Sequence, residues 1–278
     1  MGTLRLVTWN ILHQAPSEEE VEHPWRERRD AARRVLESLA PDIFCAQEAY
    51  PEQMDDLLEN MPHHWWIGWD RDGGDRGEGC PIAYDTRRLT RVDEGQFWLS
   101  PLPDVPSSLT WVNDVPRIVT WARFIDIETG ARFRVANAHL DHLVPSSRTK
   151  TVALLKERLG ESEMDEPTLV VGDFNSPAWA KPHRMLTREP TRFYDALRLA
   201  EERRPRYAGT FHHFRGRGLV RLDWVLARPA VRVLRYRVVR DAPEGILPSD
   251  HFPVCVDLAL PFEAPPKRKF FRAATAST

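Results

Sequence analysis

Polar residues recur where the apolar runs of this chain stop. Asn10 follows LVTW, Glu48 follows IFCAQ, and His139 and Asp141 follow RVANA. Asp173 and Asn175 come after TLVVG, Asp223 interrupts VRLDWVLA, and Asp250 and His251 precede FPVCVDL. Strand ends are where a sheet scaffold can converge side chains on a shared site. Phosphate-ester hydrolysis needs this set of residue types. The ester is anionic and repels a nucleophile, and hard cations such as Mg2+ or Mn2+, held by carboxylate or amide oxygens, neutralise it. A bound metal also stabilises a leaving oxyanion or lowers the pKa of water. A general base orients and deprotonates that water. Histidines donate to non-bridging oxygens, and an aspartate can hold a histidine in position.

Each residue alone has a plainer reading. Asn10 could cap a turn. Glu48 could be a helix-start acid favoured by the dipole. Asp173 and Asn175 could form an Asx turn, and Asp223 could pair with Arg221. As an ordered set these readings are remote, and for Asp223 the partnership with His251 is favoured.

The elements that must position these residues follow from periodicity. Residues 4–9 read as a strand, and a polar loop with Glu18, Glu19 and Glu20 follows. A helix begins near Trp25, with Ala32, Leu36 and Leu39 at helical spacing, and Pro41 stops it. Residues 43–46 form a short apolar strand. Met54, Leu57, Leu58 and Met61 stripe a second helix. Residues 70–79 are a glycine-rich charged loop. Strands are expected at 82–84 and 96–99, and the proline-rich stretch 101–116 is a long connection of the kind that is uncommon unless functional. A hairpin joins 118–127 to 132–139 through Glu128-Thr129-Gly130. A helix near 147–159 and strands at 168–171, 222–227, 231–239 and 253–260 complete the pattern. Helices mixed with hairpins and buried-looking strands imply an α/β fold of two sheets, each covered on one face by helices. Residues 1–262 read as a single catalytic domain, and 263–278 as a flexible tail.

The bulk numbers narrow the partners. A net charge of −2 and a pI near 6.6 give no global basic field for nucleic acid. No apolar stretch is long enough to span a membrane. MGTLRLVTWNIL lacks the basic and apolar regions of a signal peptide. The three cysteines, Cys45, Cys80 and Cys255, are far apart and have no zinc spacing, which fits reduced thiols in a cytoplasm. No obligate protein partner is evident.

At the residues that carry chemistry the chain resembles the endonuclease/exonuclease/phosphatase superfamily. The matching motifs are TWNIL, AQEAY, ANAHLDH, GDFNSP, RLDWVLA and PSDHFPV, in the family's order and at family-like spacings from residue 8 to 254. FWLS and PRIVTWARF look similar to the bacterial branch nearest the nocturnin-like deadenylases. The resemblance implies a four-layer αββα sandwich of two mixed, mainly antiparallel sheets flanked by helices, with the site at one rim. It implies that Glu48 is the principal ligand of Mg2+ or Mn2+, with Asn10 beside it and Asp250 as a second metal-side carboxylate. Asp173 would orient or deprotonate the attacking water, and Asn175 would hold the phosphate or the water. His139 would donate to a phosphate oxygen, and His251 would contact the phosphate while paired with Asp223. No catalytic position is missing, which argues against a non-catalytic scaffold. GEGCPIAYD departs from the pattern, where a bulkier residue is expected near Cys80, and this bears on the substrate rim.

Other residues are candidates for substrate contact. Arg117, just before a strand, could clamp a phosphate, as could Arg71 and Arg76. Asp141 and Trp98 adjoin the expected cleft, with His13 and His142 nearby. Trp65, Trp66 and Trp69 could stack bases, although core is the favoured reading. The pairs His63-His64 and His212-His213 do not share a helix face and read as solvent-exposed or loop histidines. Arg203, Arg204 and Arg206 read as a solvated charge run. The expected partner is a phosphate-ester substrate, either a nucleic acid or a small phosphorylated molecule. Near-neutral charge leans to the latter, since a nucleic-acid backbone needs several Lys or Arg contacts.

Overall fold

The computed structural model describes residues 2–14, 22–160, 166–188, 193–203, 207–228 and 230–261. The expected loop at Glu18–Glu20, the tail 263–278, Arg204 and Arg206 lie outside these. In chain order the first elements are β1 (Thr3–Asn10), α1 (Trp25–Leu39), β2 (Ile43–Gln47), α2 (Pro51–Leu58), β3 (His64–Ile67), β4 (Ile82–Asp85) and β5 (Leu89–Trp98). Next come β6 (Ile118–Asp126), β7 (Arg132–His139), α3 (Pro145–Gly160), β8 (Thr168–Asp173), α4 (Lys181–Thr187), β9 (Tyr194–Asp195) and α5 (Ala196–Leu199). The last are β10 (Glu202–Arg203), β11 (Asp223–Ala227), β12 (Arg232–Val238) and β13 (Val254–Ala259).

The strands form two sheets, in the orders β10-β12-β13-β1-β2-β4-β3 and β5-β6-β7-β8-β11-β9. Both are mixed and mainly antiparallel: β1 runs parallel to β2, β7 to β8 and β10 to β12, and every other pairing is antiparallel. The period-2 alternation of each strand decides which residues meet. Leu4, Leu6, Ile43, Cys45, Val254 and Val256 of the first sheet pack on Phe124, Phe133, Val135, Leu169, Val171 and Val225 of the second. The residues between them face outward. Val7, Trp9, Phe44 and Ala46 meet Val35 and Leu36 of α1 and Met54 and Leu57 of α2. Ala136, Ala138, Val170 and Trp224 meet Val152, Leu155 and Leu159 of α3 and Leu186 of α4. These layers make the expected αββα sandwich.

The long apolar runs appear where periodicity placed them, and 101–116 forms neither helix nor strand. The structure corrects the short or polar pieces. The strand expected at 96–99 begins at Leu89, because exposed Thr90–Glu94 lie on a sheet edge and need no apolar alternation. β3, β9, β10, α4 and α5 were not anticipated, since each is too short for a period to show. The core reading of two tryptophans fails: Trp65 is 62% and Trp69 59% exposed, at the rim of the edge strand β3. His212 lies in a loop but is buried, its ring stacked at 3.9 Å on Phe252.

Candidate active site

The inward rows of several strands end together at one rim. Along β1 the row reads Leu4, Leu6, Thr8, Asn10, and along β7 it reads Phe133, Val135, Asn137, His139. β8 contributes Leu169, Val171, Asp173, and β11 begins on Asp223. Register does the rest: His139 pairs with Asp173 across the parallel β7–β8 ladder, and Asp223 pairs with Asp173 across the antiparallel β8–β11 ladder. His139, Asp173 and Asp223 therefore stand side by side on one face. Between this row and the apolar core lies a polar layer that the sequence reading did not single out. The Gln47 amide donates to Thr8 Oγ1 (3.0 Å) and Asn137 Oδ1 (2.7 Å), and Asn137 donates to the carbonyls of Ala46 and Pro81. For Thr8 and Asn137 the signal was a polar residue two positions before a functional one on the same face, whereas Gln47 directly precedes Glu48.

Backbone conformation sharpens the site. Glu48 (φ 58°) and Asn175 (φ 45°) both adopt the left-handed region, which costs a non-glycine residue energy and is concentrated at functional sites. Gly172, at φ 131°, could not carry a side chain: a Cβ would sit 1.9 Å from the Ala138 carbonyl oxygen. This close approach of β7 and β8 brings His139 beside Asp173.

The polar contacts form one network. Asn10 Nδ2 donates to Glu48 Oε1 (2.9 Å) and to Asp173 Oδ2 (3.1 Å), so the two carboxylates converge on one point. Asp223 Oδ2 lies 2.8 Å from His251 Nδ1, and His251 Nε2 lies 3.8 Å from Asp173 Oδ2. The Arg221 alternative does not hold: Arg221 pairs with Asp195, which also meets His183. The Asn175 amide donates to the Leu140 carbonyl and meets His139 Nε2 at 3.1 Å, while its backbone N–H donates to Asp173 Oδ1 (2.8 Å). Ser249 Oγ donates to the Asn10 carbonyl (2.7 Å), and Trp9 Nε1 donates to the His251 carbonyl (2.8 Å), which anchors the Asp250–His251 segment to β1.

Burial and charge set the protonation states. Burial pushes the Asp173 carboxyl up to about 6, with the Asp223 charge adding to the rise and His251 opposing it. Burial alone would depress His251, but Asp223, Asp173 and Asp250 surround it and take it up to about 10. His139 moves the other way: burial and the Arg117 charge hold it well below 6.5 and keep it neutral. Burial would raise Glu48, yet the His13 hydrogen bond (Nδ1 to Oε2, 2.9 Å) and that of Asn10 hold it well below the ordinary range. Asp250 is raised by burial and by the Glu48 charge, with His251 opposing.

The other candidates divide. Arg117 is buried, with Nη1 2.9 Å from His139 Nδ1 and Nη2 2.8 Å from His142 Nδ1, so it is built into the site. Asp141 is also buried, and its Oδ1 accepts the N–H groups of Leu143 and Val144, shaping the loop after His139. Trp98 is buried and donates to the Arg71 carbonyl (2.6 Å), steadying the loop at 70–79. Arg76 is exposed. Glu78 is an addition, and His13, expected only near the cleft, meets Glu48. Glu78 takes an ion pair from Arg71 (2.6 Å) and lies 3.9 Å from His139 Nδ1. GEGC advertised a tight loop, but nothing in it advertised a buried acid.

The donor set fits a hard divalent cation. Glu48, Asp173 and Asp250 offer oxygens, while Asn10 turns its amide N–H groups to Glu48 and Asp173 and its Oδ1 to the Leu12 N–H; the raised Asp173 and Asp250 are acids crowded by other acids, where a cation relieves repulsion. Asp173, Asp223 and His251 also place ligand atoms within 4.8 Å of one another. There, however, the Asp223–His251 hydrogen bond already occupies the facing atoms.

A four-layer αββα sandwich with these carboxylates and histidines at one rim defines a phosphoesterase fold and site. The chain belongs to the endonuclease/exonuclease/phosphatase family, whose model matches residues 7–251. It is 31% identical to a mannosyl-6-phosphatase of Bacteroides thetaiotaomicron, over 92% of this chain and all of that one, with a TM-score of 0.84. The human nocturnin catalytic domain, solved with bound sulfate, shares the fold at a TM-score of 0.72 and 19% identity, over 93% of this chain and 94% of that one. An uncharacterised protein of Acanthamoeba polyphaga mimivirus is 31% identical over 163 residues, or 55% of this chain, and the match spans 60% of that protein's length. Enzymes of this family hydrolyse phosphoesters and use divalent metals. Among the described residues, no helix is long and apolar enough to cross a membrane.

Proposed function

We propose that this protein is a divalent-metal-dependent phosphoester hydrolase acting on a small phosphorylated molecule, best a phosphate monoester of a sugar. The observation that carries the chemistry is Asp173, buried between His139 and the Asp223–His251 pair and joined to Glu48 through the Asn10 amide. In this reading Glu48, Asn10 and Asp250 hold Mg2+ or Mn2+, which when bound neutralises phosphate charge and stabilises the leaving oxygen. Asp173 accepts a proton from the attacking water at Oδ2, and a carboxyl near 6 is ionised at neutral pH yet basic enough to do so. Protonated His251, fixed by Asp223, donates to a phosphate oxygen. Neutral His139 and the Asn175 amide contact the same group, with the Arg117 charge behind them. The sugar-phosphate reading is supported by 31% identity, along the whole of its chain, to a mannosyl-6-phosphatase. A net charge of −2 also suits a small substrate better than a polyanion. Three buried free thiols fit a reducing compartment, and cytoplasm is the location we infer.

The test is to strip the protein with chelator and add back Mg2+, Mn2+ or Ca2+. Cleavage is then followed on hexose phosphates, nucleotides, inositol phosphates, bis-p-nitrophenyl phosphate, RNA, and single-stranded, duplex and abasic DNA. Metal-restored turnover confined to small monoesters is expected. Efficient cleavage of a polymer would replace the substrate reading, and no turnover with metal bound would sink the enzymatic one.

A further inference from the structure

The two sheets leave one flank open, where the edge strands β3 and β5 come together. A recess of about 220 Å³ lies there, room for roughly seven waters or one pyranose ring. Trp65 and Trp69 flank it, and Arg91, Glu94, Gln96 and Thr120 supply its polar lining. Tryptophan is normally among the more buried residues, and Trp9 and Trp224 are fully buried here. Single exposed aromatics are ordinary, but these two come from the two ends of one short segment and share one recess. That segment is held in place. Gln96 accepts from the Trp69 N–H (3.0 Å) and from Thr120 Oγ1 (3.2 Å), and donates to the Asp70 carbonyl (3.3 Å). Gly68 lies between Ile67 and Trp69 at φ 116°, where a Cβ would press on Thr120 at 3.1 Å.

We propose that this recess is a carbohydrate-binding subsite, in which Trp65 and Trp69 take the C–H face of a sugar ring and the Arg91–Glu94 pair and Gln96 take its hydroxyls. A sugar is apolar on its ring faces and polar around its edge. The recess matches this with indole surface beside a guanidinium, a carboxylate and an amide, which together can donate and accept. Nucleic acid fits less well: the cation of the recess, Arg91, is ion-paired to Glu94 at 2.5 Å, and a strand needs several cations for its phosphates. Edge-to-edge pairing with a second copy is disfavoured by charged Arg91, Asp93 and Glu94 along β5. Gly68 and Trp69 also border a second cavity of about 150 Å³ that reaches Gly79. The ligand class that follows is a neutral oligosaccharide, held at the recess through one of its sugar rings. The subsite does not rest on the sugar-phosphate reading above.

The experiment uses the full chain carrying Asp173→Asn, in chelator, titrated with unphosphorylated manno-, gluco- and N-acetylglucosamine oligosaccharides. Intrinsic tryptophan fluorescence and calorimetry report binding, and sedimentation reports association state. Saturable binding of a neutral oligosaccharide is expected, weakened about tenfold or more by an added Trp65→Ala. Trp65→Ala alone should keep metal-dependent turnover of a small monoester, so loss of the subsite and loss of the catalytic reading are told apart. Absence of binding by every oligosaccharide, equal binding by the Trp65→Ala protein, preferential capture of an oligonucleotide, or a dimer that Trp65→Ala dissociates would each overturn the proposal.

Discussion

Asp173 and Asp223 stand directly opposite each other in the β8–β11 register, both facing inward, with His251 hydrogen-bonded to Asp223 and 3.8 Å from Asp173. Two acids opposite one another in a sheet repel, and no stability argument favours placing them so. The imidazolium reconciles them. It lets Asp223 remain a fixed partner while burial leaves Asp173 at about 6, close to the pH at which a general base is most effective. Asp173→Asn is therefore expected to lower kcat by about 10²–10⁴-fold while leaving the fold intact. For the wild type, log kcat/KM should rise with unit slope up to about pH 6 and then level, because the base works only when ionised. Full activity in a folded Asp173→Asn protein would sink the mechanism.

The same arrangement couples stability to alkaline pH. His251 is raised to about 10 in the folded protein, from about 6.5 when unfolded. Its protonated form is thus favoured by folding. That contribution is fully present below about pH 6.5 and is lost as pH rises through about 10. Urea midpoints should fall between pH 7 and 10, and the fall should be smaller in His251→Gln. A pH-independent midpoint across that range, in the wild type, would show that the Asp223–His251 pair is not charged as described.

Cation removal gives a second, activity-independent readout. Crowded acids at Glu48, Asp173 and Asp250 should bind Mn2+ or Mg2+ and raise Tm by linkage, by about 2.7 kcal/mol of stability at a hundredfold excess over Kd. Glu48→Gln is expected to remove most of that rise and to weaken metal-dependent turnover. An equal metal-induced shift in Glu48→Gln would move the metal away from this carboxylate.

How much of this was legible in the sequence depends on what each residue had to do. Asn10, Glu48, His139, Asp173, Asp223 and His251 announced themselves because each ends or interrupts an apolar run, and strand alternation converts that position into a direction. Glu78 did not, since a loop has no period from which to read direction, and His13 was legible only as a neighbour of the cleft; the fold brings Arg71 to the first and Glu48 to the second. Gln47 and Asn137 were hidden for a different reason. They look like ordinary polar residues in a strand, and their importance as a hydrogen-bonded layer beneath the site appears only when β2 and β7 face each other. Trp65 and Trp69 misled because hydrophobicity predicts burial only where something covers the residue, and β3 is an edge.

Gly172 is a case where one atom decides. Gly172→Ala adds a Cβ 1.9 Å from the Ala138 carbonyl oxygen, at a φ of 131° that a side chain rarely adopts. The β7–β8 ladder has to part to accept it, and with it the His139–Asp173 pairing. A loss above about 4 kcal/mol, or failure to fold, is expected. Thermal unfolding checks it, and a variant within 1 °C of wild type would show that the ladder is looser than drawn.

Arg28 ties the first helix to the site. Its guanidinium is buried and donates to the carbonyls of Ile11 (2.5 Å), Leu12 (2.6 Å), His13 (3.2 Å), His23 (2.9 Å) and Pro248 (3.0 Å). Apart from that of His23, these carbonyls belong to the segment after Asn10 and to the one before Asp250, so one side chain fixes the spacing between the two expected metal-side groups. Substituting Met keeps bulk and removes every donor, which leaves buried carbonyls unpaired at about 1–3 kcal/mol each before relaxation. Arg28→Met should therefore lower stability by about 3 kcal/mol or more. In the fraction that stays folded, metal affinity should fall more than the affinity for a competitive phosphate inhibitor, because Arg28 spaces Asn10 and Asp250 and leaves His139 and Arg117 untouched. Equal losses of both would mean that Arg28 holds the fold as a whole and does not tune the metal side.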